Sequence, residues 1–99
     1  MKYNLLGKTG LWVSEICLGT MTFGAKGRFA AVGGVDQEGA DALVRQALDA
    51  GVNFIDTANV YSEGISEEMT GEALKNLGVH RDDIILATKV RGKMGEKPN

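Results

Sequence analysis

The sequence has little of several features that would place it in particular protein classes. It has one cysteine, Cys17, which cannot close an internal disulfide and so favours a reducing, cytoplasmic setting. No apolar run approaches the ~20 residues that span a bilayer, and the first residues are too poor in apolar side chains for a secretory signal. The net charge of −2 offers no basic field for nucleic acid or anionic lipid. We therefore expect neither a nucleic acid nor a membrane partner.

The common cofactor and metal motifs are also missing from the sequence. No Gly-x-Gly-x-x-Gly follows a strand-like run, and the glycine-rich stretch 27–34 lacks the Gly-Lys-Ser/Thr of a P-loop. A structural turn is therefore favoured there over a phosphate cradle. Cys17 and His80 are isolated from other ligand-type residues, so no metal site is predicted.

What the chain does contain is typical of a small globular protein. With 99 residues, 43% of them hydrophobic and 24% charged, it has the size of one small domain. Glycine is abundant, with 14 residues, whereas proline occurs once, at Pro98. Many glycines without prolines indicate tight turns and close backbone approaches rather than a flexible linker.

Strand-like and helix-like segments alternate along the chain. We predict a hairpin over 3–13, strands near 16–19, 53–56 and 84–89, and helices near 37–50 and 67–77. The stretch 21–35 is glycine-studded and aperiodic, and is predicted to be a long loop. Spacings of about 30 to 40 residues between successive strands suit βαβ units, and therefore a parallel sheet with right-handed crossovers.

The two helices carry different signals. The first has Asp36 as a candidate N-cap, followed by apolar residues at helical spacing that predict one buried stripe: Ala40, Leu43, Val44, Ala47 and Leu48. The second is predicted to have Ser66 as its N-cap and an inner face made of Met69, Ala73, Leu74 and Leu77.

Four polar residues lie at or near the carboxyl ends of the predicted strands, where α/β proteins bind ligands. They are Thr20, Asp56 and Lys89, with Tyr61 five residues after Asp56. Singly, each has a structural explanation, such as an Asx turn, a solvated strand end or a half-buried packing residue. Together, a carboxylate, a phenol and an ammonium form a proton-transfer set. The ammonium favours the phenolate, the carboxylate keeps the ammonium in place, and the phenol can protonate a carbonyl oxygen that is becoming an alkoxide.

These residues lie in motifs that resemble the N-terminal part of aldo-keto reductases, which are (β/α)₈ barrels. The matching stretches are LLGKTGL at 5–11, LGTMTFG at 18–24, ALDAGVNFIDTANVY at 47–61, SEE at 66–68, GEAL at 71–74 and ATKV at 87–90. The stretch 47–61 is the most specific, and the resemblance covers essentially the whole chain. The implied fold class is α/β, a partial (β/α)₈ TIM barrel with an N-terminal hairpin followed by β, α, β, α, β.

The resemblance also implies roles for the polar residues at the strand ends. Tyr61 corresponds to the general acid, Asp56 to its electrostatic partner, and Lys89 to the ammonium that makes the phenol a better acid. The implied reaction is reduction of an aldehyde or ketone to an alcohol, with a small-molecule carbonyl compound as substrate.

The implied cofactor is a nicotinamide dinucleotide, NADP (as NADPH) in most of the family, with NADH left open. Its nicotinamide end would contact Gly19, Thr20, Met21 and Asp56. The loop 21–35 corresponds to a substrate-side loop in which Phe23 or Phe29 would line a pocket.

One departure from the family pattern bears on activity. The family's tetrad includes a histidine after the fourth strand, and His80 does not replace it because it precedes the third strand, at the opposite face of a barrel. A barrel of this type takes ~250 residues. We therefore expect the first three strands of a longer enzyme, a fragment or truncated product that is inactive alone, with the remainder of the barrel or a second copy as its partner. The alternative is a non-catalytic barrel-related or small α/β module that acts in protein binding or assembly.

Overall fold

The computed structural model describes residues 1–98, which form a hairpin followed by a small α/β unit. The elements are β1 (Tyr3–Leu5), β2 (Trp12–Ser14), β3 (Leu18–Gly19), α1 (Gln37–Asp49), β4 (Phe54–Asp56), α2 (Ile65–Asn76) and β5 (Ile85–Ala87). Short 3₁₀ turns lie at Gly27–Phe29 and Arg81–Asp83, and Tyr61–Gly64 is a turn with non-helical residues at its centre. This order confirms the predicted hairpin, β, α, β, α, β arrangement. Within residues 1–98, no helix is both long and apolar enough to cross a membrane.

The α/β unit is built on a parallel sheet with the strand order β3-β4-β5. Gly19 pairs with Asp56, and Asp56 in turn pairs with Ala87, so the carboxyl ends of the three strands are adjacent. The hairpin strands β1 and β2 pair antiparallel in a separate sheet. The register of the parallel sheet therefore brings the segments after Gly19, Asp56 and Ala87 to one edge, as the sequence predicted.

Both helices pack against the parallel sheet, and burial of their apolar faces stabilises the unit. The core cluster consists of Phe23, Ala40, Val44, Ile55, Ala73, Leu74 and Ile84. Asp36 caps α1 as predicted, because its Oδ1 accepts a hydrogen bond from the Gly39 amide at 2.8 Å. The helix thereby begins at a fixed residue, and its inner face is aligned with the sheet.

Two expectations about buried apolar residues are wrong. Ile16 is 60% exposed and Cys17 is also exposed, because β3 has only two residues rather than the four predicted over 16–19. The chain bends at Ile16, whose carbonyl accepts a hydrogen bond from Ser14 Oγ at 2.6 Å instead of joining the sheet. Leu43 is 40% exposed, because the core side of α1 is centred on Ala40 and Val44.

The predicted N-cap of the second helix is also wrong. The helix begins at Ile65, preceded by Gly64 in the left-handed conformation, so Ser66 lies inside its first turn. Ser66 is fully buried and donates a hydrogen bond to the Thr20 carbonyl at 2.6 Å. The left-handed turn before the helix starts it early, and the Ser66 hydroxyl therefore joins the helix to the sheet.

Candidate active site

The ends of β4 and β5 bring the predicted carboxylate, phenol and ammonium together. Lys89 Nζ donates hydrogen bonds to Asp56 Oδ2 at 2.6 Å and to the Thr57 carbonyl at 2.8 Å. It also lies 3.4 Å from Tyr61 Oη, at the long end of hydrogen-bond distance. The ammonium thus stands between the carboxylate and the phenol, which is the arrangement that the proton-transfer interpretation requires.

The charge on Lys89 is stabilised where it sits. Its pKa is raised above the ordinary value, mainly by the hydrogen bond to the Asp56 carboxylate, with a smaller contribution from Tyr61 and an opposing one from desolvation. The side chains of Lys89 and Asp56 are 49% and 33% exposed, so water screens the pair in part. At neutral pH, Lys89 is therefore a fixed positive charge beside the Tyr61 hydroxyl.

The ring of Tyr61 contacts the long loop that precedes α1. The Phe29 ring meets it edge to face, with 5.3 Å between centroids and 74° between planes. The Arg28 guanidinium lies over the Phe29 ring, 5.1 Å from the ring centroid. Phe29 also lines an open cavity of about 580 Å³ together with Arg28, Val60 and Glu63. Phe23 is fully buried in the core and cannot line a pocket.

A strained turn follows Tyr61 directly. Ser62 and Glu63 have φ of 48° and 56°, in the left-handed region that L-residues rarely adopt. The loop holds this turn, because the Lys26 amide donates to Ser62 Oγ at 3.4 Å and Lys26 Nζ lies 3.5 Å from Glu63 Oε2. Gly27, which follows Lys26 in this loop, has φ of 60°, a conformation that favours glycine, and a Cβ there would approach Glu63 Oε1 to 2.8 Å. The loop therefore contacts both the turn and the phenol ring.

The residues predicted to contact a cofactor lie in two different environments. Gly19 and Met21 are exposed at the strand edge, and a Cβ built on Gly19 would meet no atom within 4 Å among the described residues. This leaves open space beside Gly19, which pairs with Asp56 in the sheet. Thr20 is instead fully buried, where its hydroxyl donates to the Asp56 carbonyl at 3.3 Å and lies 2.9 Å from Ser66 Oγ. The Thr20 hydroxyl is thus occupied by contacts with β4 and α2.

Sequence reasoning missed three contributors to the geometry. The Thr57 carbonyl is an acceptor for Lys89, and the buried Ser66 connects α2 to the end of β3. The Thr88 hydroxyl, next to Lys89, donates to Glu67 Oε1 at 2.5 Å. The Ser-Glu-Glu stretch at 66–68, whose pattern predicts only a helix start, contains the α2 residues of the last two contacts.

Two other expectations concern residues away from the strand edge. His80 is exposed, and its Nδ1 lies 3.7 Å from Asp82 Oδ2, before β5 and away from the carboxyl ends of the strands. Within residues 1–98, no group of three or more His, Cys, Asp or Glu side chains is arranged to hold a metal ion. The predicted residues that the structure brings together at the strand ends are Asp56, Tyr61 and Lys89.

Comparison with known proteins shows the family of the chain. The sequence model described as "Aldo/keto reductase family" matches residues 15–99. The chain is 40% identical over 94 residues to an uncharacterized oxidoreductase, YrpG, of Bacillus subtilis, covering 91% of this chain and 26% of that protein. It is 41% identical over 91 residues to a probable voltage-gated potassium channel subunit beta of Oryza sativa, covering 91% of this chain and 25% of that protein. It therefore spans about a quarter of the length of these curated relatives.

Solved structures give the same result for the fold. The aldo-keto reductase AKR11C1 from Bacillus halodurans, in its holo form, matches with a TM-score of 0.75 and 37% identity, over 98% of this chain and 29% of that chain. The structural neighbours are (β/α)₈ barrels, so the predicted fold class, a partial barrel of the α/β type, is confirmed. The resemblance stated from the motifs is confirmed as well, and the chain belongs to the aldo/keto reductase family of oxidoreductases.

Proposed function

We propose that this chain supplies Tyr61, Asp56 and Lys89 as catalytic residues for the NADPH-dependent reduction of an aldehyde or ketone to an alcohol. The observation that carries the proposal is the position of Lys89 Nζ, 2.6 Å from Asp56 Oδ2 and 3.4 Å from Tyr61 Oη. A fixed ammonium next to a phenol suits the protonation of an oxygen on which negative charge develops.

The exposed edge fits one end of the proposed cofactor. Gly19, Met21 and Asp56 border the open space after the strands, where a nicotinamide ring can approach. When bound, NADPH supplies the hydride that reduces the carbonyl carbon. For the phosphates and adenosine we expect contacts from outside residues 1–98, because the matched family proteins are about four times as long as this chain.

The geometry of the three side chains indicates which group donates the proton. Tyr61 Oη donates its proton to the carbonyl oxygen as that oxygen becomes an alkoxide. The charge left on the phenol oxygen is stabilised by Lys89, whose Nζ lies 3.4 Å away. Asp56 holds the ammonium in this position through its 2.6 Å hydrogen bond. Hydride on carbon and a proton on oxygen together balance the reduction to an alcohol.

The fourth member of the catalytic tetrad, a histidine, would come from outside this chain. We therefore expect the 99 residues alone to have negligible activity and no tight NADPH binding. Fluorescence titration of NADPH with the purified 99-residue chain and with the complete protein in which it occurs tests this. Tight binding by the 99 residues alone would contradict it.

A second candidate function, protein binding without catalysis, is favoured by the names of some relatives. Proteins of Oryza sativa and Arabidopsis thaliana that are 41% and 40% identical to the chain are named as probable potassium channel beta subunits. A catalytic role predicts that Tyr61→Phe abolishes carbonyl reduction. A binding role predicts that the same variant leaves partner binding unchanged. Intact mass and gel filtration show whether the chain is alone, self-associated or paired with the rest of a barrel.

We also propose a cytoplasmic location, supported by the single cysteine. Cys17 is exposed, but partial desolvation of its thiol, together with the Asp56 charge, raises the thiol pKa, which disfavours the reactive thiolate at neutral pH. Fractionation with detection of the chain in the cytosolic fraction tests this location, and recovery outside the cytosol contradicts it.

A further inference from the structure

The first turn of α2 is hydrogen-bonded to the end of β3. Ser66 Oγ lies 2.6 Å from the Thr20 carbonyl and 2.9 Å from Thr20 Oγ1, and both residues are fully buried. Thr20 is in turn bonded to Asp56, because its amide donates to the Asp56 carbonyl at 3.0 Å and its hydroxyl lies 3.3 Å from the same oxygen. Ser66 is thus connected through Thr20 to the backbone of Asp56, the candidate catalytic carboxylate.

The next residue of the same turn is bonded to the end of β5. Glu67 Oε1 accepts a hydrogen bond from the Thr88 hydroxyl, and Thr88 directly precedes Lys89. On its other side, the Lys89 carbonyl accepts from the Asn59 amide at 3.1 Å. The backbone that carries Lys89 is therefore held from two directions, by the segment after β4 and by α2.

These two contacts lie on either side of the catalytic pair. Asp56 is on the central strand, Thr20 follows one outer strand and Thr88 follows the other. Adjacent residues of one rigid helical turn, Ser66 and Glu67, reach both outer strand ends. A displacement of α2 would change the separation of Asp56 and Lys89, and misplacement of reacting groups by about 1 Å can lower a rate ~10²-fold.

We propose that the first turn of α2 is a brace that sets the Asp56–Lys89 geometry, with Ser66 and Glu67 as positioning residues. The catalytic meaning of the brace rests on the function proposed above. Within residues 1–98, neither side chain is hydrogen-bonded to the side chains of Asp56, Tyr61 or Lys89, so each acts through the residue that it holds. Glu67 is the better one to test, because it is only half-buried and its replacement leaves the core unchanged.

The chain offers a matched control for Glu67. Glu68 follows it on the same helical turn and carries the same charge, but it is exposed and makes no side-chain hydrogen bond or ion pair within residues 1–98. Both glutamates interact with the helix dipole in the same sense. A comparison of Glu67→Ala with Glu68→Ala therefore isolates the contact with Thr88.

The experiment measures kcat, KM and NADPH affinity of the complete protein. We expect Glu67→Ala to lower kcat about tenfold with little change in NADPH affinity, as follows from a small displacement of Lys89. Glu67→Gln keeps an oxygen acceptor for Thr88 and should retain kcat within about twofold of wild type. Glu68→Ala should leave kcat unchanged. Equal effects of the two alanine variants, or no rescue by glutamine, would overturn the proposal.

Variants of Thr88, which donates the hydrogen bond to Glu67, give a second, independent test of the proposal. Thr88→Ser keeps the hydroxyl donor and should retain activity, whereas Thr88→Val removes the donor at similar size and should reproduce the loss in Glu67→Ala. The double variant Glu67→Ala/Thr88→Val should be no worse than either single variant, because both remove the same contact. Additive losses would show that the two residues act separately, and would contradict the brace.

A spectroscopic readout separates the brace from the function on which it rests. The Lys89 side chain can be followed by NMR with ¹³C-labelled lysine, with assignment by Lys89→Arg. Its titration midpoint, raised by Asp56 in the wild type, should fall toward the ordinary lysine value in Glu67→Ala and stay raised in Glu68→Ala. If Tyr61→Phe keeps full carbonyl-reducing activity, the proposed function is wrong. The Lys89 titration would still show whether the first turn of α2 sets the Asp56–Lys89 geometry. An unchanged Lys89 midpoint in Glu67→Ala would overturn the brace whatever the activity.

Discussion

Replacement of Glu63 by glycine should stabilise the protein, although glycine substitutions elsewhere on its surface should destabilise it. Glu63 has φ of 56°, and the left-handed conformation costs an L-residue about 1–2 kcal/mol that glycine does not incur. Glycine opposes this gain because it raises the entropy of the unfolded chain, by about 0.4–1 kcal/mol. The lost ion pair with Lys26 is worth only about 0.3 kcal/mol, since the two side chains are 59% and 56% exposed. We expect a net stabilisation of about 0.5 kcal/mol.

The same chemical change at Glu72 is the control. Glu72 is exposed inside α2, and its ion pair with Lys75, at 3.9 Å, is also on the surface. Glycine in a helix interior costs about 1 kcal/mol, so Glu72→Gly should destabilise the protein by about that amount. The two variants should therefore differ by about 1.5 kcal/mol and have opposite signs relative to wild type.

Denaturant unfolding of the complete protein measures both effects as shifts of the midpoint at constant slope. Destabilisation of similar size in the two variants would refute the reasoning, since it would mean that the turn after Tyr61 is not strained. An unequal change in the slope would show that one variant alters the unfolded or native ensemble, and that variant would then be compared by thermal unfolding.

Three further predictions follow from the site. The Asp56–Lys89 pair contributes stability that is fully present below the ordinary lysine pKa of 10.5 and is lost as pH rises through the raised pKa of Lys89 in the folded protein. Wild type should therefore lose stability relative to Lys89→Met at strongly alkaline pH, and parallel pH profiles of unfolding would contradict this. Phe29→Leu should lower kcat severalfold through loss of an edge-to-face contact worth ~0.5–1.5 kcal/mol, and steady-state kinetics with unchanged kcat would remove Phe29 from the site. Ser66→Ala should cost about 1–3 kcal/mol of unfolding free energy because a buried hydroxyl pair is broken; a cost within error of zero in denaturant unfolding would contradict the burial of this pair.

Features with a local physical cause could be predicted from the sequence. The Asp36 cap and the buried faces of Ala40 and Val44 follow from capping chemistry and helical spacing, and the structure confirms them. The convergence of Asp56 and Lys89 follows from the rule that parallel strands end at one edge, and the structure places them 2.6 Å apart. Their catalytic roles remain proposals.

Features that depend on packing between distant segments could not be predicted. Ser66 has the composition of an N-cap, and only the left-handed turn before it moves the helix start and turns its hydroxyl toward Thr20. Phe23 and Phe29 are indistinguishable in a loop of aperiodic sequence, yet one is in the core and the other lies against Tyr61. In each case, long-range contacts decide between side-chain environments that the local sequence permits equally.

The central claim is that Tyr61 protonates the substrate while Lys89 and Asp56 support it. The most direct measurement is the rate of carbonyl-dependent NADPH oxidation by the complete protein, compared between wild type and Tyr61→Phe at equal occupancy of cofactor. Phenylalanine keeps the ring against Phe29 and removes only the hydroxyl. Because a general acid contributes ~10²–10⁴-fold, kcat should fall by at least about 100-fold with NADPH affinity unchanged. Turnover by Tyr61→Phe at a rate close to that of wild type would contradict the account.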